Sequence, residues 1–208
     1  MSNEPTAAEW PPALRGPDAR LTDPRAVRAL AHPLRLRMLD LLQEHETLTA
    51  TEMSGYVDES PTNCAYHLRT LHRYGFVDEA PGGKGRERKW RHRPREVFVD
   101  NVASNPAMDA AVEVADLARD AFEAERLRQW RARSRSVPPE WRQSSMEARF
   151  DITMSAAEAR ALNAELISVV RRHIDDRTSP KADRAQVSVS LTTFPFGSEL
   201  PTTEESEG

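Results

Sequence analysis

Cysteine is nearly absent from this sequence: Cys64 stands alone among 208 residues, so no intrachain disulfide can form, which suits a reducing compartment. No apolar run approaches the roughly 18 residues of a membrane helix. The N-terminus also lacks the basic start and apolar core of a secretion signal. A cytoplasmic protein without a membrane partner is therefore expected. Reactive constellations are missing too: there is no phosphate-cradling glycine loop, no dinucleotide fingerprint, and no Ser/His/Asp or Cys/His arrangement. No catalytic residue, and hence no enzyme, is expected. His67 and His72 lie five apart, off a common helical face, while His32, His45, His92 and His173 are scattered without ligand spacing. No metal site and no other cofactor is expected.

Charge is present but unevenly placed. The net charge is −4, yet residues 24–95 hold 13 Lys or Arg against 9 Asp or Glu, giving +4, and the remainder carries −8. Attraction for a polyanion is thereby concentrated in one part of the chain.

Within that part, residues 49–95 read as helix, tight turn, second helix and glycine-tipped basic hairpin. Thr49 and Glu52 form a capping box, and Ala50, Met53 and Val57 then fall on one face. Asp58-Glu59-Ser60 makes the turn. Ser60 is an N-cap, Pro61 suits the first helical position, and Gly75 ends the second helix as a left-handed cap. Cys64, Leu68, Leu71 and Tyr74 make the expected inward stripe, which leaves Thr62, Asn63, Tyr66, His67, Arg69, Thr70 and Arg73 outward. These groups hydrogen-bond base edges or phosphates, and the absence of a carboxylate among them favours a polyanionic partner. Strands are expected at 76–80 and 86–93, joined by Pro81-Gly82-Gly83-Lys84-Gly85. From Lys84 to Arg95 there are seven Lys or Arg against Glu87. Alternation places Arg86, Arg88 and Trp90 on one side and Glu87, Lys89, Arg91 and Arg93 on the other. Lys84, Arg86, Arg88, Lys89 and Arg91 are the candidate phosphate contacts.

Ala29-Leu30-Ala31-His32-Pro33-Leu34-Arg35-Leu36-Arg37-Met38-Leu39, with Cys64-Ala65-Tyr66-His67-Leu68-Arg69-Thr70-Leu71 and Gly75-Phe76-Val77, resembles the ArsR-type winged helix-turn-helix regulators of bacteria. Gly85-Arg86-Glu87-Arg88-Lys89-Trp90-Arg91 resembles the wing of a subgroup with an extra C-terminal domain. The resemblance implies a dimeric transcription factor, a repressor, whose second motif helix enters the major groove of double-stranded DNA. Two departures stand out. Ala65 replaces the Ser or Thr often found two residues before the helix histidine. The first motif helix reads Ala50-Thr51-Glu52-Met53-Ser54, without the Cys-x-Cys pair of metal-sensing members, so metal sensing through that site is not expected.

The fold class expected is α+β, mainly α. Residues 1–21, with Pro5, Pro11, Pro12, Gly16 and Pro17, read as a flexible tail before a winged helix-turn-helix domain at 22–95. Two helices, one capped by Asp23-Pro24 and one from Leu34 to about Glu44, should complete its three-helix core. Residues 106–133 lack internal Gly and Pro and read as a long dimerisation helix. Met108, Ala111, Val112, Ala115, Ala118 and Phe122 form one stripe of it, with Val114, Leu117, Ala121 and Ala124 beside it. Residues 134–145 read as a linker. Beyond it, apolar alternation at 146–154 and 186–193 flanks a helix that opens with the capping box Ser155-Ala156-Ala157-Glu158, so a β-α-β unit is expected over 146–196. An acidic tail, 197–208, should be disordered.

Function follows as an expectation: a homodimeric, sequence-specific DNA-binding transcriptional regulator reading a pseudo-palindromic operator. Two other readings stand beside it. One is a winged-helix module for protein–protein interaction. The other is a ligand-responsive regulator whose C-terminal unit holds a small-molecule effector of unknown identity between Phe150, Met154, Leu162 and Leu166.

Overall fold

The computed structural model describes residues 20–83, 85, 87–93, 98–99, 106–175 and 185–196. Most of the N-terminal tail, the acidic tail, and Lys84 and Arg86 lie outside the described residues. The chain divides between Arg149 and Phe150 into two units. Overall it is mainly helical, with a small three-stranded antiparallel sheet and a helix-turn-helix near the N-terminus.

In the first unit, the first four helices begin where a side chain can satisfy free backbone N–H groups. α1 (Pro24–Leu30) opens on Asp23, whose carboxylate accepts from the Arg25 N–H at 2.8 Å. α2 (Pro33–Glu44) opens on His32, whose Nδ1 accepts from the Leu34 N–H at 3.2 Å, so that nitrogen carries no proton. α3 (Ala50–Ser54) has the expected capping box: Glu52 N–H donates to Thr49 Oγ1 at 3.1 Å, and Thr49 N–H donates to Glu52 at 2.7 Å. Thr49→Ala removes the first of these bonds, and its expected effect is a loss of about 1 kcal/mol, read as a lower urea midpoint at unchanged slope. α4 (Pro61–Arg73) opens on Ser60, which accepts from the Asn63 N–H at 3.2 Å. It closes on Gly75 at φ 75, where the Gly75 N–H donates to His72 O and the Phe76 N–H to Leu71 O. That bond pair is a Schellman cap, and its left-handed residue explains why glycine stands there.

The sheet has the order β2 (Leu48–Thr49), β4 (Lys89–His92), β3 (Val77–Ala80), all antiparallel, so the returning strand of the hairpin is central. Trp90 lies opposite Leu48 on one side and Glu79 on the other. A separate parallel pair joins β1 (Arg20–Leu21) to β5 (Phe98–Val99). The last two residues of the expected tail are thus paired, with Leu21 buried in the core. Both hairpin strands are shorter than 76–80 and 86–93. At the tip a Cβ on Gly83 would fall on the Glu87 carbonyl, and Gly82 and Gly85 have positive φ.

The core gathers Val27, Met38, Leu41, Met53, Cys64, Leu68, Leu71 and Val77, all essentially inaccessible. α5 (Pro106–Arg133) spans the expected range, and its small-residue stripe finds its close-packing partner in the same chain. Met108, Ala111 and Ala115 of α5 and Ala26, Val27 and Ala29 of α1 are buried where the two helices pack. Further along, Arg126 Nε lies 3.4 Å from the carboxylate of Asp40 on α2. Burial pushes the Asp40 carboxyl above the ordinary carboxylate value, and Arg126 pulls it back. The expected linker 134–145 is not structureless: it contains a short 3₁₀ turn and α6 (Pro139–Gln143), with Pro139 in its first turn.

α7 (Ala156–Asp175) is the helix of the second unit among the described residues, and Ser155 and Glu158 form its capping box. The expected strands are not found: among the described residues, neither 146–154 nor 186–193 is a strand. Apolar alternation alone does not make a strand, which also needs a ladder partner. Among the described residues, no pocket closes over Phe150 either, whose side chain is 79% exposed.

Candidate nucleic-acid interface

Position α4 by its buried side, and the rest of the surface follows. Cys64, His67, Leu68 and Leu71 are buried, spaced three, one and three, so they cover one side of a 3.6-residue helix. Thr62, Tyr66, Arg69 and Arg73 are exposed, and Asn63 and Thr70 are half-buried. The Thr70 hydroxyl donates to the Tyr66 carbonyl at 3.0 Å, within the helix.

The outward placement of His67 is corrected. It is 6% exposed, because it falls three residues after Cys64 and four before Leu71, within the stripe itself. Its ring packs on His32 at 4.7 Å between centroids, with Tyr66 edge-on at 5.3 Å. His67 Nδ1 and the neighbouring Arg35 Nε are buried without a hydrogen-bond partner among the described residues. Burial lowers the pKa of both histidines, and the Arg35 charge lowers each further. Burial lowers His92 as well. The unfolded chain takes up these protons near the ordinary histidine value of about 6.5, whereas the folded chain resists them. Stability present above that pH is therefore lost as pH falls through the lower folded values. Urea midpoints at pH 7.5 and 5.5 should show the decline, and His67→Leu should make it shallower.

The hairpin stands beside α4. Between them lies a cleft of about 630 Å³ lined by Ala50, Thr51, Pro61, Thr62, Ala65, Arg69, Glu87, Arg88 and Trp90. Arg69 and Arg88 thus reach one opening from two elements. Arg88 and Arg91 are exposed and Lys89 is half-buried. Trp90 and His92 face inward on β4, so Lys89 and Arg91 share the other face, as alternation requires.

Two carboxylates at this surface were not legible in the face of α4 itself. Glu59, in the turn, accepts from the Asn63 side-chain amide at 2.7 Å. Glu79 of β3 pairs with Arg88 across the hairpin. The signal lay in spacing: Glu59 is four residues before Asn63, and Glu79 lies opposite the start of the returning strand. Each acid holds one polar group of this surface in place, Glu59 the Asn63 amide and Glu79 the Arg88 guanidinium.

Residues 30–80 match a family model described as a helix-turn-helix domain. The chain carries a helix-turn-helix domain. The matched stretch runs from the end of α1 to the end of β3 and so includes α3, the turn and α4. It supports a DNA-binding regulator, since domains of this kind are typically non-enzymatic DNA-binding modules. No curated protein is a significant match to the chain. Among the described residues, no helix is long and apolar enough to cross a membrane.

Proposed function

We propose that the chain is a homodimeric, sequence-specific DNA-binding transcriptional repressor. In this reading α4 enters the major groove of a pseudo-palindromic operator while the basic hairpin lies along the flanking backbone. The observation that carries it is the shared opening between α4 and the hairpin, into which Arg69 and Arg88 both reach. Thr62, Asn63, Tyr66, Arg69, Thr70 and Arg73 would contact bases and phosphates, and Asn63 would pair with adenine once released from Glu59. Lys84, Arg86, Arg88, Lys89 and Arg91 would neutralise phosphates. His67, buried, acts through packing and does not touch the duplex.

Dimerisation is supported by the side of α5 that α1 leaves open. Val114, Leu117, Ala121 and Ala124 are exposed at spacings of three, four and three, a seam that a second α5 can cover. Two copies held this way would present two α4 helices about 34 Å apart, one turn of duplex. The resemblance to ArsR-type regulators supports the same arrangement and a steric mode of repression.

The test is affinity for selected genomic fragments across a salt series. The logarithm of the binding constant should fall steeply with the logarithm of salt, with a slope set by the phosphates neutralised. A flat response would remove the phosphate contacts from the mechanism.

A further inference from the structure

The segment 146–154 does not contribute to the reading above, and its chemistry is unusual for a solvent-exposed stretch. Its alternation, Met146, Ala148, Phe150, Ile152 and Met154 against Glu147, Arg149, Asp151 and Thr153, is that of a half-buried strand. Yet Met146 is 88% exposed, Phe150 79% and Ile152 60%. Three large apolar side chains so exposed within seven residues give the segment the chemistry of a docking surface.

We propose that this segment is the docking surface for a second copy of the chain, which pairs with the same segment antiparallel about a two-fold axis at Phe150. The pattern is symmetric about that residue. On the apolar face, Phe150 meets Phe150 of the second copy, Ala148 meets Ile152, and Met146 meets Met154. On the polar face Arg149 lies opposite Asp151, and the two-fold makes that ion pair twice in exchange for the contacts these residues make within one chain, while Glu147, which pairs with Arg131 of its own chain, lies opposite Thr153. Directly opposed residues in an antiparallel pair share a face, so a one-residue slip would set the apolar face against the polar one. Centring the pair on Arg149 sets that charge against itself, and centring it on Asp151 does the same for the acid. A surface whose charges complement its own copy favours that copy over an unrelated peptide.

The second edge of the new ladder stays open to residues 186–193 of the same chain, where Val187, Val189 and Leu191 alternate and are exposed. Two strands from each copy would make a four-stranded sheet, and the half-buried Leu162, Leu166 and Val170 of α7 supply an apolar layer for it. Two strands and one helix fall short of independent stability, whereas four strands with two helices meet the usual requirement. The proposal rests on the homodimer of the proposed function but not on α5 as its seam.

Cysteine crosslinking of the full chain tests it. Phe150→Cys places the new thiol on the two-fold, where opposed Cα atoms lie about 4.5–5.5 Å apart, within disulfide reach. It should crosslink nearly completely under mild oxidation. Ala148→Cys should not, being about 13 Å from its own equivalent at 3.3 Å per residue. The unmodified chain should not either, its Cys64 being buried. In the Phe150→Cys background, adding Arg149→Asp or Asp151→Arg should each reduce crosslinking severalfold, and mixing the two variants should restore it as a heterodimer. Preferential crosslinking through Ala148→Cys, or no recovery on mixing, would overturn the proposal. So would a Phe150→Cys chain that stays uncrosslinked yet dimeric by light scattering, and that result would leave the α5 seam standing. A monomeric chain would remove both.

Discussion

Arg69→Glu is expected to weaken binding of the selected genomic DNA fragments by about a hundredfold or more at roughly 0.1 M salt while leaving the fold intact. Arg69 is exposed on α4 and lines the cleft that the hairpin shares. An arginine at a base or phosphate contact contributes about 1–3 kcal/mol. The proposed dimer would make the contact twice, and each 1.4 kcal/mol is about a factor of ten. Reversal adds repulsion between the new carboxylate and phosphate, so the loss should exceed that of Arg69→Ala. Because the side chain does not enter the core, the urea midpoint should move by no more than about 0.5 kcal/mol equivalent. Arg172→Glu, on the exposed surface of α7 in the other unit, is the matched control and should bind normally. Retention of affinity within about threefold by Arg69→Glu would mean that α4 is not the reading helix.

What the sequence disclosed here was local chemistry. The capping boxes at Thr49 and Ser155, the Ser60-Pro61 start of α4 and its Gly75 stop each act over three or four residues, so spacing alone reveals them. The span of α5 was legible for the same reason: proline opens it, and neither glycine nor proline interrupts it. What covers its small-residue stripe was not legible. That depends on α1, about 80 residues away, whose seven residues show little periodicity of their own. His67 was misplaced because a polar residue at a core position reads as surface until its partner, His32 on another element, is known. The two-residue strands β1 and β5 lie below any periodic signal, and they exist only because 20–21 and 98–99 meet in space. At 146–154 the alternation was clear but its partner was not, since nothing in a single chain's pattern says which edge it will meet.

Trp90→Ala should be the most destabilising single change in the helix-turn-helix part, and it should disable DNA binding without touching a cation. Trp90 is 3% exposed at the centre of the three-stranded sheet, between Leu48 and Glu79. Its ring meets the edge of His72 at 5.4 Å, and His72 in turn donates from Nδ1 to the Val77 carbonyl at 3.0 Å. One indole therefore fastens the last turn of α4, the start of β3 and the returning strand. Truncating a buried aromatic to alanine costs about 3–5 kcal/mol, a large share of the roughly 5–15 kcal/mol that holds a domain together. Below its melting temperature the variant should keep most of its helix, since the capping bonds of α1 to α4 do not involve Trp90. The hairpin, deprived of its anchor, should no longer hold Arg88, Lys89 and Arg91 beside α4. The salt dependence of DNA binding should then become shallower, by up to the number of cations released. Trp90→Phe, which refills most of the volume, should recover both stability and slope. If Trp90→Ala kept the full slope, the hairpin cations would not be among the phosphate contacts, and α4 would bind the duplex without them.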